Sequence, residues 1–206
     1  MRKYATKFDY VSPCWYEVNV RDKAIVLDHE INYDLEFIRD VKKRNPGLKI
    51  LPRLYIPGAQ SSVMQALASS QQSLQQLRLM VRKISKMEGI DGFVWDTPYS
   101  VFSKESKYKA INEVSKQVIN MLKEVLKPEQ ELFVNTDRPS SNSDLELIRS
   151  LNIDGLLIQN YASRENPEEI QQSLDFVKQL DQPSKKYVML LPFFSRKNMQ
   201  SMISSE

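Results

Sequence analysis

The sequence predicts a single α/β domain built on a mainly parallel sheet, and three observations carry that prediction. Short β-branched and aromatic runs alternate with longer segments whose apolar residues recur at helical spacing, from Phe8 to Leu191. No shift of composition marks a linker in the 206 residues, and 41% hydrophobic against 27% charged residues is the balance of one globular core. The run Gly89 to Pro98 is a short apolar strand with helical patterns on both sides, as a strand buried on both faces has. About six strands are expected, short of the eight that close a (β/α) barrel.

The elements follow in order. Phe8, Tyr10 and Val11 begin a strand, and Pro13, which is tolerated only at an edge or terminus, places its end near Cys14. Ala24 to Leu27 is a short apolar run between charged residues, either a hairpin partner or part of a loop. Leu35, Ile38 and Val41 mark a helix after Asp34, closed by Asn45-Pro46-Gly47. The strand Leu48 to Tyr55 runs into the turn signal Pro57-Gly58. Val63, Leu67, Leu74, Leu77, Val81 and Ile84 form the next apolar stripe, and Ser69-Ser70-Gln71-Gln72 divides it into two helices ending at Gly89. After the strand Ile90 to Trp95, Pro98 turns the chain into a loop. Ile111, Val114, Val118, Met121, Leu122 and Val125 then form an amphipathic helix that Pro128 stops. The same phrase repeats as strand Leu132 to Val134, helix Ser143 to Leu151, strand Gly155 to Ile158, helix Pro167 to Leu180 and strand Tyr187 to Leu191.

Composition excludes several chemistries. A net charge of +3 from 29 basic and 26 acidic residues, with no basic block beyond short runs such as Lys42-Lys43-Arg44, is no nucleic-acid footprint. Cys14 and His29 are the only residues of their kinds, which rules out an internal disulfide, a cysteine-histidine zinc set and a cysteine-histidine catalytic pair. Five unclustered glycines make no phosphate loop, and Gly-x-Ser-x-Gly is absent. No cofactor or metal is expected. No apolar run approaches the roughly 20 residues of a membrane span, and Met1 to Lys7 is not of signal-peptide type.

Ligands of wound α/β proteins bind at the carboxyl ends of the strands, where Trp15, Arg53, Asp96, Asn135, Gln159 and Tyr161 are expected. Aromatic faces for sugar rings beside carboxylate, amide and guanidinium groups for hydroxyls suit a polar ligand without phosphate, such as an oligosaccharide. Each residue also has a purely structural reading. Trp15 and Tyr161 would cover the core, Asn135 and Asp137 would be turn residues before Pro139, Arg53 would pair with Asp96, and Asp96 would cap the loop that follows it. Asp91 reads as a turn residue at the start of its strand.

Asp91-Gly92-Phe93-Val94-Trp95-Asp96 resembles the fourth-strand motif of glycoside hydrolase family eighteen, whose chitinases carry Asp-Gly-x-Asp-x-Asp-x-Glu. Lys7 to Trp15, Leu48 to Leu54 and Asp154 to Tyr161 are similar to further strands of the chitinase-like lectins of that family. The resemblance implies a (β/α)8 TIM-barrel type of fold, incomplete here, with about six βα units and the first and last strands missing. It implies a partial gene product or shortened isoform with open sheet edges, and an extracellular or lysosomal protein if the full product carries a signal. Pro98 stands where the family has the glutamate that protonates the leaving oxygen, Val94 replaces another acid of the motif, and Gln159 stands where the family usually has Met. Asp96 would still orient an N-acetyl group, with Tyr161 as its hydrogen-bond partner. The implied activity is binding of chito-oligosaccharide without hydrolysis, with a receptor protein as a further implied partner. The alternatives are a residual glycosidase in which Asp96 or Asp137 serves as the acid, and a scaffold that binds only protein.

Overall fold

β1 (Tyr10–Val11) and β2 (Tyr16–Arg21) are two halves of one strand, interrupted by a bulge. In the computed structural model, which describes residues 2–28, 33–57, 61–96, 109–137, 146, 148–159, 171, 175, 178–179 and 186–190, Val11 is opposite Ile50 and Tyr16 is opposite Leu54. Between those pairs the first strand advances one residue more than its partner, the signature of a β-bulge. The ladder continues across the break, because the Leu51 and Arg53 amides each donate over 2.9 Å to the carbonyls of Val11 and Pro13. Pro13, with no N–H to give, sits where the ladder is already broken. The strand therefore does not end near Cys14; it resumes at Tyr16 and returns as the antiparallel β3 (Ala24–Asp28). The tight turn between them has Asp22 and Lys23 both at positive φ, 50° and 65°, as a twisted hairpin demands.

Helix α1 (Leu35–Arg44) begins at Asp34, whose carboxylate accepts the Phe37 amide at 2.7 Å, and closes with three basic residues in its last turn. β4 (Lys49–Ile50) and β5 (Arg53–Tyr55) make up the next strand, broken only at Leu51-Pro52. The serine-rich interruption does separate two helices, α2 (Ser61–Ser69) and α3 (Gln71–Ile84), with Ser70 capping the second. β6 (Gly92–Asp96) is buried at all five positions. α4 (Lys109–Val125), β7 (Glu131–Asp137), β8 (Gly155–Gln159) and β9 (Lys186–Leu190) complete the described elements. β7 is longer than the expected Leu132 to Val134, so Asn135 and Asp137 are strand residues and not turn residues.

The main sheet has the order β3-β2-β5-β6-β7-β8-β9, parallel throughout except for β3, and β1 pairs with β4 as its extension. One face carries Leu54, Phe93, Trp95, Leu132, Val134, Leu156 and Ile158 into a large core shared with Ile38, Leu67, Leu77, Val81, Val118 and Leu122 of the helices. The other face holds a smaller cluster, Leu51, Val94, Phe133 and Leu157, with Tyr10 packed against it. The Tyr10 and Phe133 rings lie 5.3 Å apart although they stand three strands away from each other. A flat sheet would separate those strands by about 14 Å, so this sheet is curled around its inner face. The result is a (β/α) barrel-type wall of six parallel strands with an antiparallel edge, an incomplete barrel among the described residues.

The amino ends of the strands are fastened by a device used twice. Asp91 accepts the Lys42 ammonium at 2.6 Å and the Ile50 amide at 2.8 Å, and Asp154 accepts the Lys123 ammonium at 2.5 Å and the Leu132 amide at 2.7 Å. Each carboxylate joins a helix to the strand before it; Asp91 stands at the start of its strand, where it was expected, but the clasp is a role beyond that of a turn residue. Gly92 is fixed by the same crowding: its φ is +149°, and a Cβ there would lie 1.9 Å from the Glu131 carbonyl oxygen.

Candidate functional site

The inner face is layered from the amino to the carboxyl ends of the strands. Lys49 pairs with Glu131 at the base. Tyr10, Leu51, Val94, Phe133 and Leu157 fill the middle, beside a cavity of about 240 Å³ that Ser12 and Arg53 also line. Polar side chains occupy the carboxyl ends, the position that the fold reserves for ligands.

Asp96 is central to that layer. Strand alternation sends Phe93 and Trp95 into the helix-side core, which leaves Val94 and Asp96 facing inward. Asp96 is 5% exposed and Asn135, opposite it on β7, is 1% exposed. The Asn135 amide donates to Asp96 Oδ1 at 2.5 Å, and Arg53 Nη1 lies 3.1 Å from Asp96 Oδ2. A charge this deeply buried requires such partners. The donation from Nδ2 also fixes the amide's orientation, so Asn135 Oδ1 is an acceptor. Among the described residues, Asn135 Oδ1, Arg53 Nε and Ser12 Oγ are buried without a hydrogen-bond partner. The site thus combines a fixed carboxylate with one unused acceptor and two unused donor groups.

Three of the expected site residues, Arg53, Asp96 and Asn135, are therefore brought together. Gln159 ends β8 in register with Asp137, but its side chain lies outside the described residues, as do Tyr161, Pro98 and the side chain of Asp137. Trp15 requires a correction. Its ring is 7% exposed and packs edge-on against Tyr33 and Phe37 at 5.5 and 6.3 Å, in the core between the sheet and α1. The bulge is the cause: Trp15 and Tyr16 are consecutive, yet both enter the helix-side core, so the alternation inverts there. Burial, with Tyr33 adding to it, also raises the Tyr16 phenol well above its usual range and keeps it neutral.

One residue was not anticipated. Tyr55 stands in register with Asp96 on the inward side of β5 and is 37% exposed. The turn signal Pro57-Gly58 was legible, but only the register shows that Tyr55 flanks the carboxylate. Among the described residues no group of three or more His, Cys, Asp or Glu side chains is placed to hold a metal ion, and no helix is long and apolar enough to cross a membrane.

No family model matches the chain. Its fold is that of solved chitinase-type domains at low identity. A GH18 chitinase from Pseudoalteromonas aurantia is 18% identical with a TM-score of 0.66, over 91% of this chain and 74% of that one. The GH18 chitinase from Cycas revoluta, solved as a complex with allosamidin, is 14% identical with a TM-score of 0.64, over 91% and 62%. The spore cortex-lytic enzyme SleL from Bacillus cereus is 14% identical with a TM-score of 0.63, over 91% of this chain and 45% of that one.

Proposed function

We propose, from the fold that this chain shares with chitinase domains of glycoside hydrolase family eighteen, that it binds N-acetylglucosamine-containing oligosaccharide at Arg53, Asp96 and Asn135 without cleaving it. The observation that carries the reading is the pattern of unused hydrogen-bonding capacity around Asp96. Asn135 offers a buried acceptor and Arg53 a buried donor, each without a partner among the described residues. An acetamido group supplies the complement, one N–H and one carbonyl. Unmet buried polar atoms cost about 1–3 kcal/mol each, so a ligand that satisfies them recovers that energy on binding. A variant of the Cycas revoluta chitinase solved with (GlcNAc)4 has a related fold, at 14% identity and a TM-score of 0.57, which supports the ligand class.

Protonating a glycosidic oxygen takes a positioned acid, worth about 10²–10⁴ in rate, and the residue two beyond Asp96 is Pro98. Both Asp96 oxygens accept from fixed donors, an arrangement suited to orienting a neighbouring group and not to delivering a proton. The four strand motifs further liken the chain to the stabilin-interacting, chitinase domain-containing lectins, which extends the proposal to a secreted or lysosomal protein with a receptor as second partner.

Calorimetric titration with N-acetylchitotetraose and with cellotetraose, which lacks the acetamido group, tests the reading. The acetylated ligand is expected to bind at least about tenfold more tightly, and Asn135→Ala to remove about 1–2 kcal/mol of that preference. Equal affinities for the two sugars would overturn it.

A further inference from the structure

Below the carboxylate cluster, the middle layer of the inner face is hollow. The cavity there measures about 240 Å³, and Leu51, Val94, Phe133 and Leu157 form most of its wall. Leu51 and Val94 are each 1% exposed and Phe133 is 2% exposed, so the hollow lies between packed core side chains. A space of this size would take about eight waters at roughly 30 Å³ each, and a buried water needs about two to four polar partners. Three of the lining side chains carry a polar group, Tyr10, Ser12 and Arg53, too few to hold that much water in order. Poorly held water is readily displaced by apolar groups, and dry apolar cavities of about 150 Å³ bind benzene. The rings of Tyr10 and Phe133, 5.3 Å apart at this wall, suit a ring as the occupant.

The polar groups define the rest of the ligand. Tyr10 packs inward, and Ser12, two residues further along the strand, lines the same space. Ser12 Oγ and Arg53 Nε are both buried without a hydrogen-bond partner among the described residues. Both can donate, so their complement is an acceptor oxygen. Charge decides which kind. Arg53 Nη1 already lies 3.1 Å from Asp96 Oδ2, and Lys49, at the base, is paired with Glu131. Both cations are matched, and an anionic ligand would bring a buried negative charge with no partner. The fitting oxygen is therefore that of a neutral carbonyl.

We propose that this cavity is a second binding site, for a small neutral molecule with an apolar ring and one carbonyl oxygen. The ring lies against Val94 and Phe133, and the oxygen accepts from Arg53 Nε and Ser12 Oγ. The site is distinct from the oligosaccharide site but linked to it, because the Arg53 N–H is the one that an acetamido carbonyl would also take. The two ligands therefore exclude each other.

The test is NMR titration of the whole chain with acetophenone, with ethylbenzene, which has nearly the same shape without the oxygen, and with benzoate, which adds a charge. Acetophenone is expected to bind saturably, with intermolecular NOEs to the Val94 and Leu157 methyl groups. Its affinity is expected to exceed that of ethylbenzene and of benzoate by about tenfold. In Ser12→Ala the preference over ethylbenzene is expected to fall to about threefold. Absence of saturable acetophenone binding, NOEs only to residues elsewhere, or equal affinity for acetophenone and ethylbenzene would overturn the site. Retention of the full preference in Ser12→Ala would overturn the placing of the oxygen. Binding of N-acetylchitotetraose without acetophenone would overturn the cavity site alone. Binding of acetophenone without the tetramer would support the cavity site and overturn the oligosaccharide reading. Where both bind, competition is expected, and simultaneous occupancy would overturn the shared use of Arg53.

Discussion

Trp15 and Asp96 show how differently two site expectations fare at the level of single residues. Both were expected at strand ends, and one extra residue between Val11 and Tyr16 decides that the tryptophan serves the core. Trp15→Ala is accordingly expected to cost about 3–5 kcal/mol of stability, measured by chemical denaturation, with little change in ligand affinity below the unfolding transition. A loss of affinity without a loss of stability would return the ring to the site. Asp96→Ala is expected to destabilise by about 3–5 kcal/mol, since it leaves Arg53 and Asn135 buried without their acceptor, whereas Asp96→Asn keeps the shape and costs less. Arg53, Asp96 and Asn135 were legible because strict alternation places every second residue of a buried strand on one face. Tyr55 was not, because its neighbours across the sheet exist only once register is known.

Elements were read more securely than residues. The helix starts at Asp34 and Ser70 carry local chemistry that needs no tertiary information, so α1 begins and α2 and α3 divide where the sequence places them, whereas α3 stops at Ile84, short of the expected end at Gly89. The strand from Tyr10 was misread because Pro13 normally stops a strand, and a bulge that lets the ladder pass a proline depends on the partner strand. The run Ala24 to Leu27, short and set between charged residues, reads either as a hairpin partner or as part of a loop, and the antiparallel pairing with β2 makes it the former. Asp22-Lys23 supplies the required positive φ without a glycine, at roughly 1 kcal/mol or more per residue. Replacing the pair by Asn-Gly is expected to raise the melting temperature by about 2–4 °C. A lower melting temperature would show that the Asp22 and Lys23 side chains contribute contacts that outweigh the backbone strain.

At the scale of the whole molecule, a curled wall of parallel strands sets ion pairs at its amino ends, apolar packing in its middle and a buried carboxylate cluster at its carboxyl ends. Alternation of strand and helix was enough to predict the class, and family-like motifs were enough to predict the barrel type. The curl and the layering come from contacts between strands far apart in sequence, such as Tyr10 with Phe133, which periodicity does not encode. The central claim is that this architecture binds acetylated amino-sugar chains and has lost the acid that would cut them. Its most direct test is a single titration with N-acetylchitotetraose followed by analysis of the recovered sugar. Saturable binding with the tetramer returned intact is the predicted result; new reducing ends, or no binding at any concentration, would contradict the account.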